Sequence, residues 1–264
     1  MGLFNFGKKE QKREFRPKVV LTENVSEELV KTAKEYYIPV SSLDFNLISC
    51  KTYVKFPGEE FIEANKELLE KFMILENLIN EEAEIKQVYE IEIIKYKSDP
   101  NFELIGEMKV NELYTYAEFK VSKNSLIKVN DIFEKVKTEL NKKKIRNSLL
   151  IDIFDLMDED IKKLQSIILI DEKLNSDFTV KLCKGLDPII SVKGRVLYHF
   201  KKNKDEKNLI YPVKTGDVLI EIILPKPGRN GRDCRGKIIK TEELGEFKIP
   251  EIAFDEKTIE KKSR

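Results

Sequence analysis

The chemically most suggestive segment of this chain is Gly231–Lys237, GRDCRGK, which matches the G-x-x-x-x-G-K part of a phosphate-binding loop. It follows an apolar run, Val218–Leu224, that reads as a strand. In such a loop backbone N–H groups cradle phosphates, the lysine reaches the outer ones, and a following Ser or Thr holds Mg²⁺. Here Ile238 follows Lys237, so the metal-binding hydroxyl is missing. The stretch before Gly245 and Pro250 is also too short for a helix whose N-terminus faces a phosphate. Nucleotide binding at Gly231–Lys237 is therefore a weak alternative. The better reading is architectural: Gly228, Gly231 and Gly236 serve a backbone that turns through positive φ or passes close to something. Asp233 bonds its own local backbone at the bend.

The other reactive side chains give less. His199 is the only histidine, set in a strand between Tyr198 and Phe200, with no second imidazole to share a metal. Asp152, Asp155, Asp158, Glu159 and Asp160 form the densest acidic run; helical spacing puts Asp152 and Asp155 on one face, but the glycine and the distal glutamate of a Ca²⁺ loop are lacking. Capping and solubility account for that run. Cys50, Cys183 and Cys234 are widely spaced, so no zinc or disulfide framework is expected. A reducing cytoplasm is the natural home of such a chain. Cys234 lies among Arg232, Arg235 and Lys237, which favours its thiolate, although a plain loop cysteine is the simpler reading. No nucleophile elbow, zinc helix or paired catalytic group is present in the sequence, and the expectation is a non-enzyme without cofactor or metal.

Composition bounds the class. The chain has 264 residues, 36% charged and 41% hydrophobic, with net charge +1, which describes a globular chain and disfavours a general nucleic-acid binder. Charge is uneven: the stretch 59–92 is acidic, while 1–18 and 225–240 are basic. No apolar run reaches the roughly 18–20 residues of a membrane span. The leader MGLFNFGKKEQKR has Leu3, Phe4 and Phe6 beside cations, a weak membrane-surface signal in an otherwise flexible arm.

The positioning elements follow from periodicity. Residues 1–17 read as a basic arm. Lys18–Leu21 reads as a strand, and Asn24 with Glu27 as a capping box opening a helix to about Tyr37. Leu43–Phe56 reads as one or two strands, Glu59–Asn80 as the clearest helix, and Ile85–Tyr96 and Phe102–Met108 as strands around a turn at Ser98–Pro100. Beyond a boundary near Val110–Leu113, Leu113–Val121 reads as a strand, Asn130–Asn141 as a helix, and Lys142–Arg146 as a basic turn. Leu149–Met157 and Asp158–Ile170 read as helices, with Asp158 as N-cap. Strands then dominate: Phe178–Leu182, Arg195–Phe200, Asn208–Val213, Val218–Leu224 and Lys237–Lys240. Lys201–Lys207 forms a hairpin tip, and Pro225 with Pro227 ends the long apolar strand. The expected fold class is α+β: an N-terminal αβ unit, then a helix-plus-strand domain ending in a small barrel or sandwich. The expected divisions are an arm at 1–17, an α+β domain at 18–112, a second domain at 113–252 and a tail at 253–264.

VKTGDVLIEIILPKPGRNGRDCRGKII, through Gly216, Asp217, Leu219, Pro225, Gly228, Gly231, Gly236 and Ile238, resembles the N-terminal region of the bacterial flagellar assembly protein A family. LCKGLDPIISVKGRVLYHF is similar to an upstream family segment through Gly185, Pro188 and Gly194. It departs at Leu182-Cys183, where a small residue is usual, and at Ile190, where glycine is usual. The resemblance covers about Tyr114–Ile252. It implies that Gly185, Pro188, Gly194, Gly216, Asp217, Pro225, Gly228, Gly231, Asp233 and Gly236 are a structural motif. It also implies a parallel β-helix beyond FKIPEIAFDEKTIE; this chain stops at Arg264, which makes it a fragment, a split gene or a stand-alone form. The Gly-Asp turn is similar as well to lipoyl and biotinyl carriers. Lys201, Lys202 and Lys204 lack the hydrophobic flanks of a carrier lysine, so that likeness is one of barrel architecture.

The resemblance implies a bacterial, non-enzymatic protein-interaction domain for flagellar assembly or its polar placement. It would be cytoplasmic, at the pole or the inner-membrane surface, with protein partners and self-association open. Arg229, Arg232, Arg235 and Lys237 are the candidate interaction residues. The alternative of another class is nucleic-acid or polyanion binding through Lys142–Arg146 and Pro225–Lys240.

Overall fold

The computed structural model describes residues 14–65, 67–68, 83–199, 214–241 and 247–248. Among them are three α-helices and a set of antiparallel strands, an α+β fold in which strands outnumber helices. The chain divides into two compact units: Met1–Asp187 with Gly231–Ile239, and Pro188–Asn230 with Lys240–Arg264.

The first unit is built on two antiparallel sheets. Strands β1 (Lys18–Thr22), β2 (Leu43–Lys55), β3 (Ile62–Glu63) and β4 (Glu84–Lys95) form one, in the order β1-β4-β2-β3. In β4 the alternation EIKQVYEIEIIK buries Ile85, Gln87, Tyr89, Ile91 and Ile93, the period of a half-buried strand. Helix α1 (Val25–Tyr36) is opened by Asn24, whose side-chain oxygen accepts from the Glu27 N–H at 3.1 Å, as the capping pattern predicts. It is closed by Tyr37 in the left-handed conformation. Its buried stripe Val25, Leu29, Thr32 and Ala33 belongs to a core with Phe45, Ile91 and Ile93. Truncating a side chain such as Phe45 to alanine there costs about 3–5 kcal/mol. Of the expected basic arm, residues 1–13 lie outside the described residues. Phe15 is buried, with its ring set edge-on to Tyr36 at 5.2 Å.

Strands β5 (Phe102–Glu103), β6 (Gly106–Val110), β7 (Tyr116–Val121), β8 (Leu126–Ile127) and β9 (Phe178–Lys184) follow. The sequence merges β5 and β6 into one strand, but they join different partners: β5 pairs with β8, and β6 enters the sheet β6-β7-β9. Helices α2 (Ile132–Arg146) and α3 (Met157–Asp171) share its core. In β9 the register against β7 shifts at Ala117/Glu118, so one residue is extra on β9. This bulge turns both Leu182 and Cys183 inward, although they are adjacent.

Four expectations need correcting. Helix Glu59–Asn80 does not begin at Glu59, because Ile62–Glu63 pairs with Tyr53–Val54 as a strand; residues 66 and 69–80 of that span lie outside the described residues. Lys142–Arg146 is the last turn of α2 rather than a loop. Asp158 lies in the first turn of α3 and pairs with Lys137 at 2.8 Å; Leu156 holds the cap position. Leu149–Met157 is irregular up to the start of α3 at Met157. Ser148, Asp152 and Phe154 take positive φ, and Leu149, Leu150, Ile151 and Ile153 are all buried, which one face of a helix cannot arrange. Its backbone groups bond outward, Leu150 N–H to Cys234 O and Ile151 N–H to Gln87 Oε1.

The second unit contains a ribbon of β10 (Arg195–Tyr198) and β11 (Ile220–Ile223). Strands β12 (Gly231–Arg232) and β13 (Ile238–Ile239) pair within the first unit. The C-terminal strands thus pair two by two among the described residues; Asn208–Val213 and the tip Lys201–Lys207 lie outside them.

Candidate functional site

The glycine-rich stretch falls into two settings. Gly231–Gly236 is a buried bend of the first unit. The Asp233 carboxylate accepts from the N–H groups of Arg235 and Lys237, each at 2.9 Å, and from Arg235 Nε at 2.7 Å. Asp233 N–H in turn donates to Lys237 O, and Gly236 N–H to Asp233 O. Local bonding by Asp233 is as the sequence predicts, and it occupies N–H donors that a phosphate would need. A strand, Ile238–Ile239, follows Lys237 directly, where a phosphate loop would open a helix. Gly236 has φ +81°, and a Cβ there would stand 2.6 Å from Ile85 O, so glycine is required twice over.

The bend is wired into the core. Cys234 donates to Tyr114 O and accepts from Leu150 N–H. The Arg235 guanidinium stacks 3.7 Å from the Tyr114 ring centroid. Arg232 is only 2% exposed and donates to Gly236 O at 2.8 Å. Burial pulls its guanidinium below the ordinary value, against the opposing charge of Asp233. Gly185 lets β9 lie against this bend: a Cβ would stand 2.3 Å from Arg232 O, and Leu186 pairs with Arg232. Beside it Thr115 is bonded to both Asn111 and Asp187.

The rest of the motif lies in the second unit. Gly216, at φ +99° with open space around it, and Asp217, whose carboxylate accepts from Lys214 N–H at 2.7 Å, make the expected tight turn. Pro225 and Pro227 do not stop the pairing there. Lys226 still exchanges both bonds with Val192, and Arg229 does so with Ile189, because the prolines alternate with the donor positions. Gly228 passes close to Ile189 O, and Gly194 lies under the Phe247 ring. Pro188 is half-buried at the first position of this unit. The ribbon exposes Ile189, Ile190, Val192, Val218 and Leu224, with Ile190 82% accessible. Its described residues, 188–199 and 214–230, carry five Lys or Arg against Asp217 and Glu221.

The candidate interaction residues therefore separate. Arg229 is exposed in the second unit and Lys237 in the first. Arg235 is committed to Asp233 and Tyr114, and the buried Arg232 presents no surface charge.

The second basic segment is neutralised within the fold. Lys142 and Arg146 both hold Asp44, at 2.7 and 2.8 Å, and Lys143 holds Glu139. Lys144, fully buried, pairs with Asp155. The polyanion reading of Lys142–Arg146 thus meets cations that already have partners. Asp152 and Asp155 do not share a helix face; Asp152 N–H donates to Asp155. Asp160 holds Lys163 and the Lys181 N–H. His199 is exposed and lies 3.3 Å from Glu221. Cys234 lies in the turn of the bend and is buried among core residues. Among the described residues no cluster of His, Cys, Asp or Glu has the makings of a metal site, and no helix is long and apolar enough to cross a membrane.

One polar centre escaped the sequence reading. Gln87 is 4% exposed, and its amide makes four bonds, to Thr52, Ile151 O, Ile151 N–H and Tyr89 OH. It staples the irregular segment to β4. A polar residue at an inward position of an alternating strand was the available signal.

No curated protein and no solved structure matches the chain significantly. The model of the Flagellar Assembly Protein A N-terminal region matches residues 109–262, well over half of the sequence, and the chain belongs to that family.

Proposed function

We propose that the chain is a non-enzymatic protein-interaction module in flagellar assembly or its polar placement, and that the ribbon of the second unit is its contact surface. Family membership supplies the process. The observation that carries the surface is the ribbon's exposure of Ile189, Ile190, Val192, Val218 and Leu224 beside Lys226 and Arg229. A two-stranded ribbon is marginal in water by itself, and exposed apolar side chains rimmed by charge suit a protein partner. The excess of cations favours an acidic partner with an apolar patch, met in the cytoplasm at the pole or the inner-membrane surface.

The test is crosslinking capture from a flagellated bacterium, comparing wild type with Ile190→Asp and Arg229→Glu. The expected result is acidic assembly, motility or polarity proteins crosslinked to residues 188–199 or 214–230, and lost with either variant. Equal capture by wild type and variants contradicts the surface. A salt-sensitive complex with RNA or DNA would favour polyanion binding instead.

A further inference from the structure

Cys183 and Cys234 are far apart in sequence and together in space. Cys183 is turned inward by the bulge in β9, and Cys234 sits in the Asp233 bend, which β9 meets through Leu186 and Arg232. Both are essentially inaccessible and belong to one core cluster. The two thiols are hydrogen-bonding neighbours, with the buried Lys144 charge nearby, and Gly185 brings β9 against the backbone of Arg232 and Asp233. The two cysteines bracket the point where the chain leaves the first unit after Asp187 and re-enters at Gly231.

We propose that Cys183 and Cys234 are an oxidisable dithiol that a peroxide converts to a disulfide, clasping the stem of the 188–230 excursion. The Cys234 thiolate attacks a peroxide oxygen; the O–O bond breaks, leaving a sulfenic acid on Cys234 and releasing water after protonation. The Cys183 sulfur then attacks the Cys234 sulfur, the S–O bond breaks, and a second water leaves with the Cys183 proton. Two thiols and one hydrogen peroxide thus give one disulfide and two waters. Hydrogen bonding from Cys183, with the Lys144 charge, holds the Cys234 thiol below its ordinary value against the effect of burial, so Cys234 is the attacking sulfur. The bond to Cys234, together with burial, pushes Cys183 up. Cys50 is the internal control: burial, with the charge of Asp152, pushes it up to about 12, and it has no thiol neighbour among the described cysteines. Because both partners are buried, reaction follows local opening of the bend, and it accelerates in urea below the unfolding midpoint.

The experiment uses the full chain, reduced and then treated with hydrogen peroxide in native buffer, followed by alkylation and peptide mass spectrometry. The expected product is a Cys183–Cys234 linked peptide with Cys50 still alkylated. In Cys50→Ser, which keeps both Cys183 and Cys234, free thiols should fall from two to none on oxidation and return with dithiothreitol, and the urea midpoint should be higher in the oxidised form. Two free thiols persisting after oxidation, irreversible sulfinic acid in place of the crosslink, or disulfides between chains overturn the proposal.

Discussion

The bend Arg232–Gly236 and the 214–230 half of the ribbon come from one glycine-rich stretch and do opposite work. In the bend every named cation is spoken for: Arg235 by Asp233 and Tyr114, Arg232 by the carbonyl of Gly236. Its glycines admit close backbone contact, and its carboxylate bonds inward. In the ribbon the backbone is paired, but large apolar side chains and Arg229 face outward. Both places carry arginine beside glycine. What separates a structural basic loop from a contact surface is whether the fold supplies each charge with a partner.

The comparison is broken most severely through the first unit's buried charges. Lys144→Met leaves Asp155 largely buried without its cation, and a loss of about 3–5 kcal/mol in urea unfolding is expected. A loss under about 1 kcal/mol would mean that the pair is solvated rather than interior. Next comes Gly236→Ala, which must accept a left-handed φ and a contact with the Ile85 carbonyl. About 2–3 kcal/mol is expected. Gly216→Ala, with a similar φ but open space, should lose only about 1 kcal/mol. Equal losses at the two glycines would remove close packing from the account of the bend.

Gln87→Leu leaves the Ile151 N–H without its partner, and about 1–3 kcal/mol is expected in the same assay. It should also raise amide exchange at Leu150 and Ile151 before other core sites.

A pH effect sharpens the charge argument. Burial raises the Asp44 carboxyl, but Lys142, the Phe45 N–H and Arg146 outweigh it and hold the group below its ordinary value near 3.8. A lowered folded-state value means that its contribution is full above that ordinary value and is lost as pH falls through the lowered one. Acid unfolding of Asp44→Asn should accordingly depend less on pH below about 4 than wild type. Identical acid profiles would show that Lys142 and Arg146 do not rest on Asp44.

How much of this was legible in the sequence follows from where the information lies. Strand alternation in β4, the Asn24 cap and the Gly216-Asp217 turn are local patterns, and each is found in place. Asp233 bonding its own bend was also readable, because an aspartate between glycines has few other partners. The irregular segment 149–154 was not readable: its consecutive Leu-Leu-Ile looks helical, and only the distant Gln87 and Cys234 explain why its backbone bonds outward. The burial of Arg232 and the neutralisation of Lys142–Arg146 by Asp44, Glu139 and Asp155 depend on tertiary neighbours, which charge counting cannot see.

The most direct test of the contact surface is a matched pair of variants in one crosslinking capture. Ile190→Asp should leave the urea midpoint within about 0.5 kcal/mol of wild type, as an exposed substitution does, and should abolish recovery of acidic flagellar assembly proteins. Lys237→Glu, at the exposed edge of the bend, should leave recovery intact. Full recovery with Ile190→Asp, or loss with Lys237→Glu in a folded protein, would contradict the division of labour between ribbon and bend.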